Sequence, residues 1–124
     1  MSSSIAEPKE KIRSFKDLVI WQEAMELAKT IYTLTAALPR GEQYGLTAQM
    51  CRAVVSVPSN IAEGQARGHR AEYRQFLYIA LGSLAELETQ LLLAGDLGLT
   101  ESAETVHGKL QHVRMMLLHL VRAL

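Results

Sequence analysis

At 124 residues and 13.8 kDa the chain has room for one domain and not for a two-domain enzyme, since domains commonly run to roughly 100–150 residues. Hydrophobic residues at 48% and charged residues at 21% supply a core and exclude a disordered chain, while 13 Lys and Arg against 13 Asp and Glu give a net charge of +0 and remove any global attraction to nucleic acid or an acidic membrane. Eight Gly, three Pro and 6% aromatic residues argue against strand-rich folds and for an all-α one.

Residues 1–13 mix Ser, Glu, Lys and Pro without periodicity and read as a flexible tail, leaving 14–124 as the folded domain. Ser14 followed by Asp17 marks a helix start, because a hydroxyl can accept from an orphan N–H and an acid suits the positive end of the dipole. The first helix then runs to about Leu38, with Ile20, Ala24, Leu27, Ile31, Leu34 and Leu38 at helical spacing, and Pro39 with Gly41 closes it. A second helix starts between Tyr44 and Thr47 and ends near Arg67, with Gly68 as its C-terminal cap. On it Leu46, Met50, Val54, Val57 and Ile61 share one face, a polar stripe runs beside them, and Cys51, Val55, Pro58 and Ala62 form a second apolar sector. A helix oily on two sides needs two covers, so Cys51, Val55 and Ala62 are expected at an oligomer interface. Pro58 removes one backbone hydrogen bond inside this helix and should bend it.

The third helix spans about Ala71 to Leu97, with Tyr73, Phe76, Leu77, Ala80, Leu84, Leu87 and Leu91 on one face. Gly95 and Gly98 punctuate a loop, Thr100 or Ser102 can cap the fourth helix, and Val106, Leu110, Val113, Leu117, Val121 and Leu124 form its stripe. Four helices of similar length with short connections predict an antiparallel up-down-up-down four-helix bundle. Cys51 alone cannot form an internal disulfide, the N-terminal residues carry no secretory-type apolar core, and the longest wholly apolar run is Leu91–Ala94. The expectation is a cytoplasmic protein with no membrane contact.

Little here reads as catalytic. Ferritin-like metal bundles need two Glu-x-x-His pairs, and only Glu104-Thr105-Val106-His107 fits. His112 and His119 lie seven residues apart, about 10 Å along a helix, too far for one metal ion. Cys51 has no His or Lys at helical spacing to activate it and reads as a packed thiol. No cofactor or metal site is expected. Small and polar residues do interrupt the second helix at Ser56-Val57-Pro58-Ser59-Asn60-Ile61-Ala62-Glu63-Gly64. Asn60 and Glu63 face the side from which Ser83 and Glu86 arrive, with Arg52 and Arg67 as counter-charges. Arg52, Asn60, Glu63, Ser83 and Glu86 therefore form either a buried network that sets helix register or a ligand or partner pocket. Between the second and third helices Arg67, His69, Arg70 and Arg74 meet only Glu72, so Arg67, Arg70 and Arg74 are the candidate nucleic-acid patch.

Phe15, Leu18, Trp21 and Ala24, then Pro39, Glu42, Tyr44, Gly45, Leu46, Gln49, Arg52 and Ala53, continue into Ser59-Asn60-Ile61-Ala62-Glu63-Gly64, Arg67, Tyr73, Phe76-Leu77, Ala80 and Gly82-Ser83-Leu84-Ala85-Glu86-Leu87-Glu88. Together these residues resemble the bacterial four helix bundle family, also called the 23S rRNA intervening-sequence protein family. The resemblance implies a compact antiparallel bundle, usually a homopentameric ring, whose members are encoded within intervening sequences of ribosomal RNA genes and have no established activity. A similar fold serves as the accessory protein of diversity-generating retroelements, a basic pentamer that works with a reverse transcriptase and nucleic acid. This chain departs from that relative in being neutral. The expected function is a non-enzymatic homo-oligomer, pentamer favoured, that binds RNA or a protein–RNA partner. The alternative is a protein-binding scaffold with no nucleic-acid affinity, and a third reading is an enzyme built on Asn60, Glu63 and Glu86.

Overall fold

A computed structural model describes residues 13–124, and the regular structure among them is entirely helical. Four helices follow in order: α1 (Val19–Ala36), α2 (Leu46–Ala66), α3 (Arg70–Asp96) and α4 (Ala103–Ala123). The tail expected over residues 1–13 lies, Arg13 apart, outside the described residues.

The start of the first helix differs from expectation. Ser14 and Asp17 do form a reciprocal cap: the Ser14 hydroxyl accepts from the Lys16 N–H at 3.2 Å, and the Asp17 carboxylate accepts from the backbone of Arg13 and Ser14. What they cap is a single 3-10 turn, Phe15–Asp17, and Leu18 then turns extended (ψ 126) before α1 begins at Val19. Two contacts hold this break. The Phe15 ring meets Trp21 edge-on at 5.2 Å, and the Gln22 amide donates to the Lys16 carbonyl at 2.8 Å.

The other boundaries follow the apolar periodicity. Gly68 (φ 76) and Gly98 (φ 74) end α2 and α3 in the left-handed region, where a side chain would be strained. α2 stays continuous across Pro58, which is buried. Neither Thr100 nor Ser102 caps α4 with its hydroxyl; the Thr100 hydroxyl instead accepts from the Ser102 N–H.

Contacts between helices give their direction. Ser56 of α2 meets Ser83 of α3, while Gly64, further along α2, meets Phe76, earlier on α3. On α4, Ala103 touches Gly95 and His107 reaches back to Glu88, while Arg74 at the start of α3 approaches Leu124. Leu18 and Ile20, at the entry to α1, share a groove with the end of α4, and Glu23 to Thr30 share another with its first half. Each adjacent pair is therefore antiparallel and the bundle runs up, down, up, down. Between the helices lie Ile31, Met50, Val54, Ile61, Leu77, Leu84, Leu91, Leu110 and Leu117, all fully buried, each stabilising the fold by roughly 1.5–3 kcal/mol relative to exposure.

α3 is the exceptional helix. By length and composition it is the one described helix that could cross a bilayer, although it contains no long unbroken apolar run. In the bundle its Leu77, Leu84, Leu87 and Leu91 are core.

Candidate functional site

The polar interruption of α2 lies along its seam with α3. The Ser56 and Ser83 hydroxyls are 2.8 Å apart, and the Asn60 amide donates to the Ser56 carbonyl at 2.7 Å and to its hydroxyl at 2.9 Å. This triad bridges the helices through short, half-buried side chains. One helical turn on, Gly64 brings the two backbones closer still: a Cβ there would fall 2.7 Å from the Phe76 Cβ and 3.1 Å from the Tyr73 ring. Glycine is thus required by proximity rather than by backbone angle.

Of the five residues expected to meet here, the structure brings Asn60 and Ser83 together through Ser56. Arg52 and Glu86 line the same seam one or two turns away, as walls of an open groove of about 500 Å³ shared with Gln49, Ala53, Ser56 and Ser83. Glu63 is not brought to them. It is exposed and accepts from Arg67 at 3.0 Å, because position 63 lies on the outer side of α2. Asn60, Glu63 and Glu86 do not converge on one point.

The three arginines of the expected patch are held differently. Arg67 pairs with Glu63 at 3.0 Å and Glu72 at 3.6 Å, and its guanidinium lies 5.0 Å from the Phe76 ring centroid. Arg74 donates to the Leu124 carbonyl at 3.5 Å. Arg70 is exposed, with no carboxylate within 4 Å among the described residues.

On the expected interface sector of α2, Val55 is 43% exposed, but Cys51 is half-buried with its sulfur 3.5 Å from the Thr35 hydroxyl of α1, and Ala62 is half-buried. Pro58 of the same sector is buried. At Cys51, α1 supplies the second cover that a wheel projection assigned to another molecule. The larger uncovered apolar surface is on α3, where Tyr78, Ile79, Leu92, Leu93 and Leu97 are 47–61% exposed. From Gln75 to Gly95 the only charges on this helix are Glu86 and Glu88, and Glu88 is turned toward α4.

That turned residue organises a cluster absent from the expectations. Glu88 accepts from Arg114 at 2.5 Å through one carboxylate oxygen and meets His107 Nε2 at 2.6 Å through the other, and Arg114 also reaches Gln111. The Arg114 guanidinium first, and His107 second, hold the Glu88 carboxyl below its ordinary range. His107 and Arg114 are seven residues apart on α4, a spacing that places both on the flank facing α3; that was the available signal. It also accounts for His107, the half-motif that resembled a metal ligand. Among the described residues no three His, Cys, Asp or Glu side chains gather in a metal-binding arrangement. His112 and His119 are both exposed on α4.

The sequence model of a family described as 23S rRNA-intervening sequence protein matches residues 16–119, most of the chain. The chain belongs to this family. A crystal structure of a protein of unknown function from the S23 ribosomal protein family of Bacteroides thetaiotaomicron VPI-5482 resembles it with a TM-score of 0.77 and 23% identity, covering 84% of this chain and 96% of that one. At that identity the likeness speaks for the fold alone. No curated protein matches the chain. Residues that carry the family resemblance lie along the α2–α3 seam: Gly64 of the Ser59–Gly64 segment meets Tyr73 and Phe76, while Ser83 of the Gly82–Glu88 segment meets Ser56, to which Asn60 donates.

Proposed function

We propose that this protein is a non-enzymatic, self-assembling protein of the cytoplasm, whose outer α3 face and neighbouring α2 flank meet further copies of the same chain, five being the number that the family resemblance suggests. The observation that carries the reading is the uncovered stripe of Tyr78, Ile79, Leu92, Leu93 and Leu97, interrupted by one free charge, Glu86. Five large apolar side chains half-exposed along one helix are more than a chain of this size needs to leave uncovered, and exposed apolar surface of that kind marks contacts. Light scattering at micromolar concentration should give a mass several times 13.8 kDa. Ile79→Asp and Leu93→Asp should each lower that mass while circular dichroism keeps its helical signal, because a charge buried at a contact is costly and neither side chain is in the core. A parent protein with the mass of one chain would overturn the proposal.

A specific observation favours a nucleic-acid partner as a second reading. Among the described residues, the antiparallel fold collects Arg13, Lys16, Arg67, Arg70, Arg74 and Arg122 at one end of the bundle against Asp17, Glu63 and Glu72, while Glu42, Asp96, Glu101 and Glu104 face only Arg40 at the other. The neutral chain is electrically polar from end to end, and an assembly that aligns its copies would repeat the basic end. RNA affinity, if it resides there, should fall steeply between about 50 and 200 mM salt and be lost in Arg70→Glu with Arg74→Glu, with the oligomer intact. An oligomer that fails to bind structured RNA at the lower salt would leave the protein scaffold as the function.

A further inference from the structure

Resting on the self-assembly reading, we infer that Arg52 and Glu86 are partners between two copies of the chain: the Arg52 guanidinium of one copy pairs with the Glu86 carboxylate of the next, fixing the register of the contact. Both residues line the α2–α3 groove, yet they do not form an ion pair within the chain. Among the described residues, Arg52 has no carboxylate, and Glu86 no cation, within 4 Å. The hydroxyls between them are already occupied, since Ser56 and Ser83 bond to each other and Asn60 donates to Ser56. The groove therefore holds two opposite charges apart over a floor whose hydrogen bonds are largely satisfied from within.

Their setting points to a second copy as the occupant. Glu86 lies midway between Ile79 and Leu93, seven residues to either side on one stripe of α3, and both apolar side chains are about half exposed. Arg52 lies one turn from Val55, which is 43% exposed. Around the groove the exposed α2 flank carries Arg52 with Val55 and the polar Gln49 and Ser59, the exposed α3 flank carries Glu86 with Ile79, Leu93 and the polar Thr89, and the two flanks are opposite in sign. An α2 flank offered to the α3 flank of another molecule matches charge to charge and oil to oil, whereas α3 against α3 sets glutamate beside glutamate. Apolar burial drives such an association, and the ion pair selects orientation and excludes mismatched registers.

Charge reversal separates a contact between copies from one within the chain. Arg52→Glu and Glu86→Arg, each alone, should weaken self-association on the order of tenfold or more, because each sets like charges against one another at every contact. Mixed in equal amounts, the two variants should assemble better than either alone: wherever they alternate, Glu at position 52 of one variant meets Arg at position 86 of the other and the unaltered pair meets in the reverse contact, and a ring of five keeps at least one mismatched contact, so recovery is partial. Analytical ultracentrifugation of the parent, each variant and the mixture reads this directly, with circular dichroism reporting the fold. Variants that assemble like the parent would overturn the inference, as would a mixture no better than its components, since neither chain could then be supplying the other's partner. Should either reversal fail to fold, Arg52→Gln and Glu86→Gln carry the test as a cycle, in which both together weaken association no more than one alone, and additive losses overturn it. A monomeric parent would instead refute the self-assembly reading itself, so the two failures are distinguishable.

Discussion

Replacing Gly64 with alanine sets two effects of opposite sign against each other at one atom. In an exposed helix interior the change favours folding by about 1 kcal/mol, because alanine loses less backbone freedom than glycine. At Gly64 the added methyl would sit 2.7 Å from the Phe76 Cβ, 3.1 Å from the Tyr73 ring and 3.3 Å from the Tyr73 carbonyl oxygen. An ordinary carbon–carbon contact needs about 3.5–4.0 Å, so roughly 1 Å of separation has to be found. The nearest atom cannot supply it by rotation, since a Cβ moves only with its backbone. α3 must withdraw from α2, or both helices must bend, and the Ser56–Ser83 bridge two turns away is strained with them. Overpacking of this kind costs about 1–3 kcal/mol, more than the propensity gain in most of that range. The expected outcome is a net loss of up to about 2 kcal/mol, or a drop of up to roughly 8 °C in Tm for a domain of this size. Gly108→Ala, in α4 with nothing within 4 Å of the new methyl, is the control and should raise stability by about 0.5–1 kcal/mol. Thermal melts at equal protein concentration decide the matter, because assembly itself shifts Tm. If the Gly64 variant melts at or above the Gly108 variant, the close approach of α2 and α3 is not what requires glycine.

Glu88→Gln should destabilise the fold by about 1–3 kcal/mol, since it replaces two charge-assisted bonds that are three-quarters shielded from solvent. The parent should show the matching pH response in chemical denaturation. Its folded-state carboxyl lies below the ordinary value of 4.5, so the unfolded chain binds the extra proton, and this contribution is full above that pH and erodes as pH falls through the folded value. A Gln variant with the same acid limb as the parent would refute the assignment. Asn60→Ala, which removes two half-buried bonds to Ser56 while leaving the Ser56–Ser83 contact, should cost about 0.5–1.5 kcal/mol, whereas Glu63→Ala, which breaks an exposed pair with Arg67, should cost less than about 0.5 kcal/mol. Equal losses in urea titrations would place Glu63 in the bridge after all.

The core was legible because the residues that fill it obey one rule. Leu77, Ala80, Leu84, Leu87 and Leu91 recur at helical spacing and are buried where that spacing places them. What the periodicity of one helix cannot express is which neighbour lies on its second side. Cys51 looks like part of a surplus apolar sector until Thr35 of α1 is laid against it, and Ile79 and Leu93 look like parts of a generally oily helix until the bundle leaves them outside. Pairing across helices was partly readable. Ser83 was expected opposite Asn60, but the Ser56 hydroxyl that joins them was legible only as part of the polar segment and not as the bridge. The Glu88, His107 and Arg114 cluster depends on the register that residues 97–102 impose on α4 relative to α3, which no local pattern encodes. At the start of α1 the cap was legible and the fate of the chain after it was not, since the break at Leu18 comes from Phe15 closing on Trp21.

The two sides of the bundle are unequally joined. α2 and α3 are connected by three residues, 67–69, bridged at Ser56–Ser83 and locked together at Gly64, while α1 and α4 share no side-chain hydrogen bond among the described residues and leave grooves of about 420 and 620 Å³ between them. Opening is cheapest where packing is thinnest, so native fluctuations should part α1 from α4 long before they separate the central hairpin, and amide hydrogens in α1 should exchange ahead of those in α2 and α3. Contacts within the hairpin are also near in sequence, which favours its early formation during folding. The pair of helices that presents both flanks of the assembly surface can thus be in place before the outer helices settle, leaving α1 as the movable wall of the molecule.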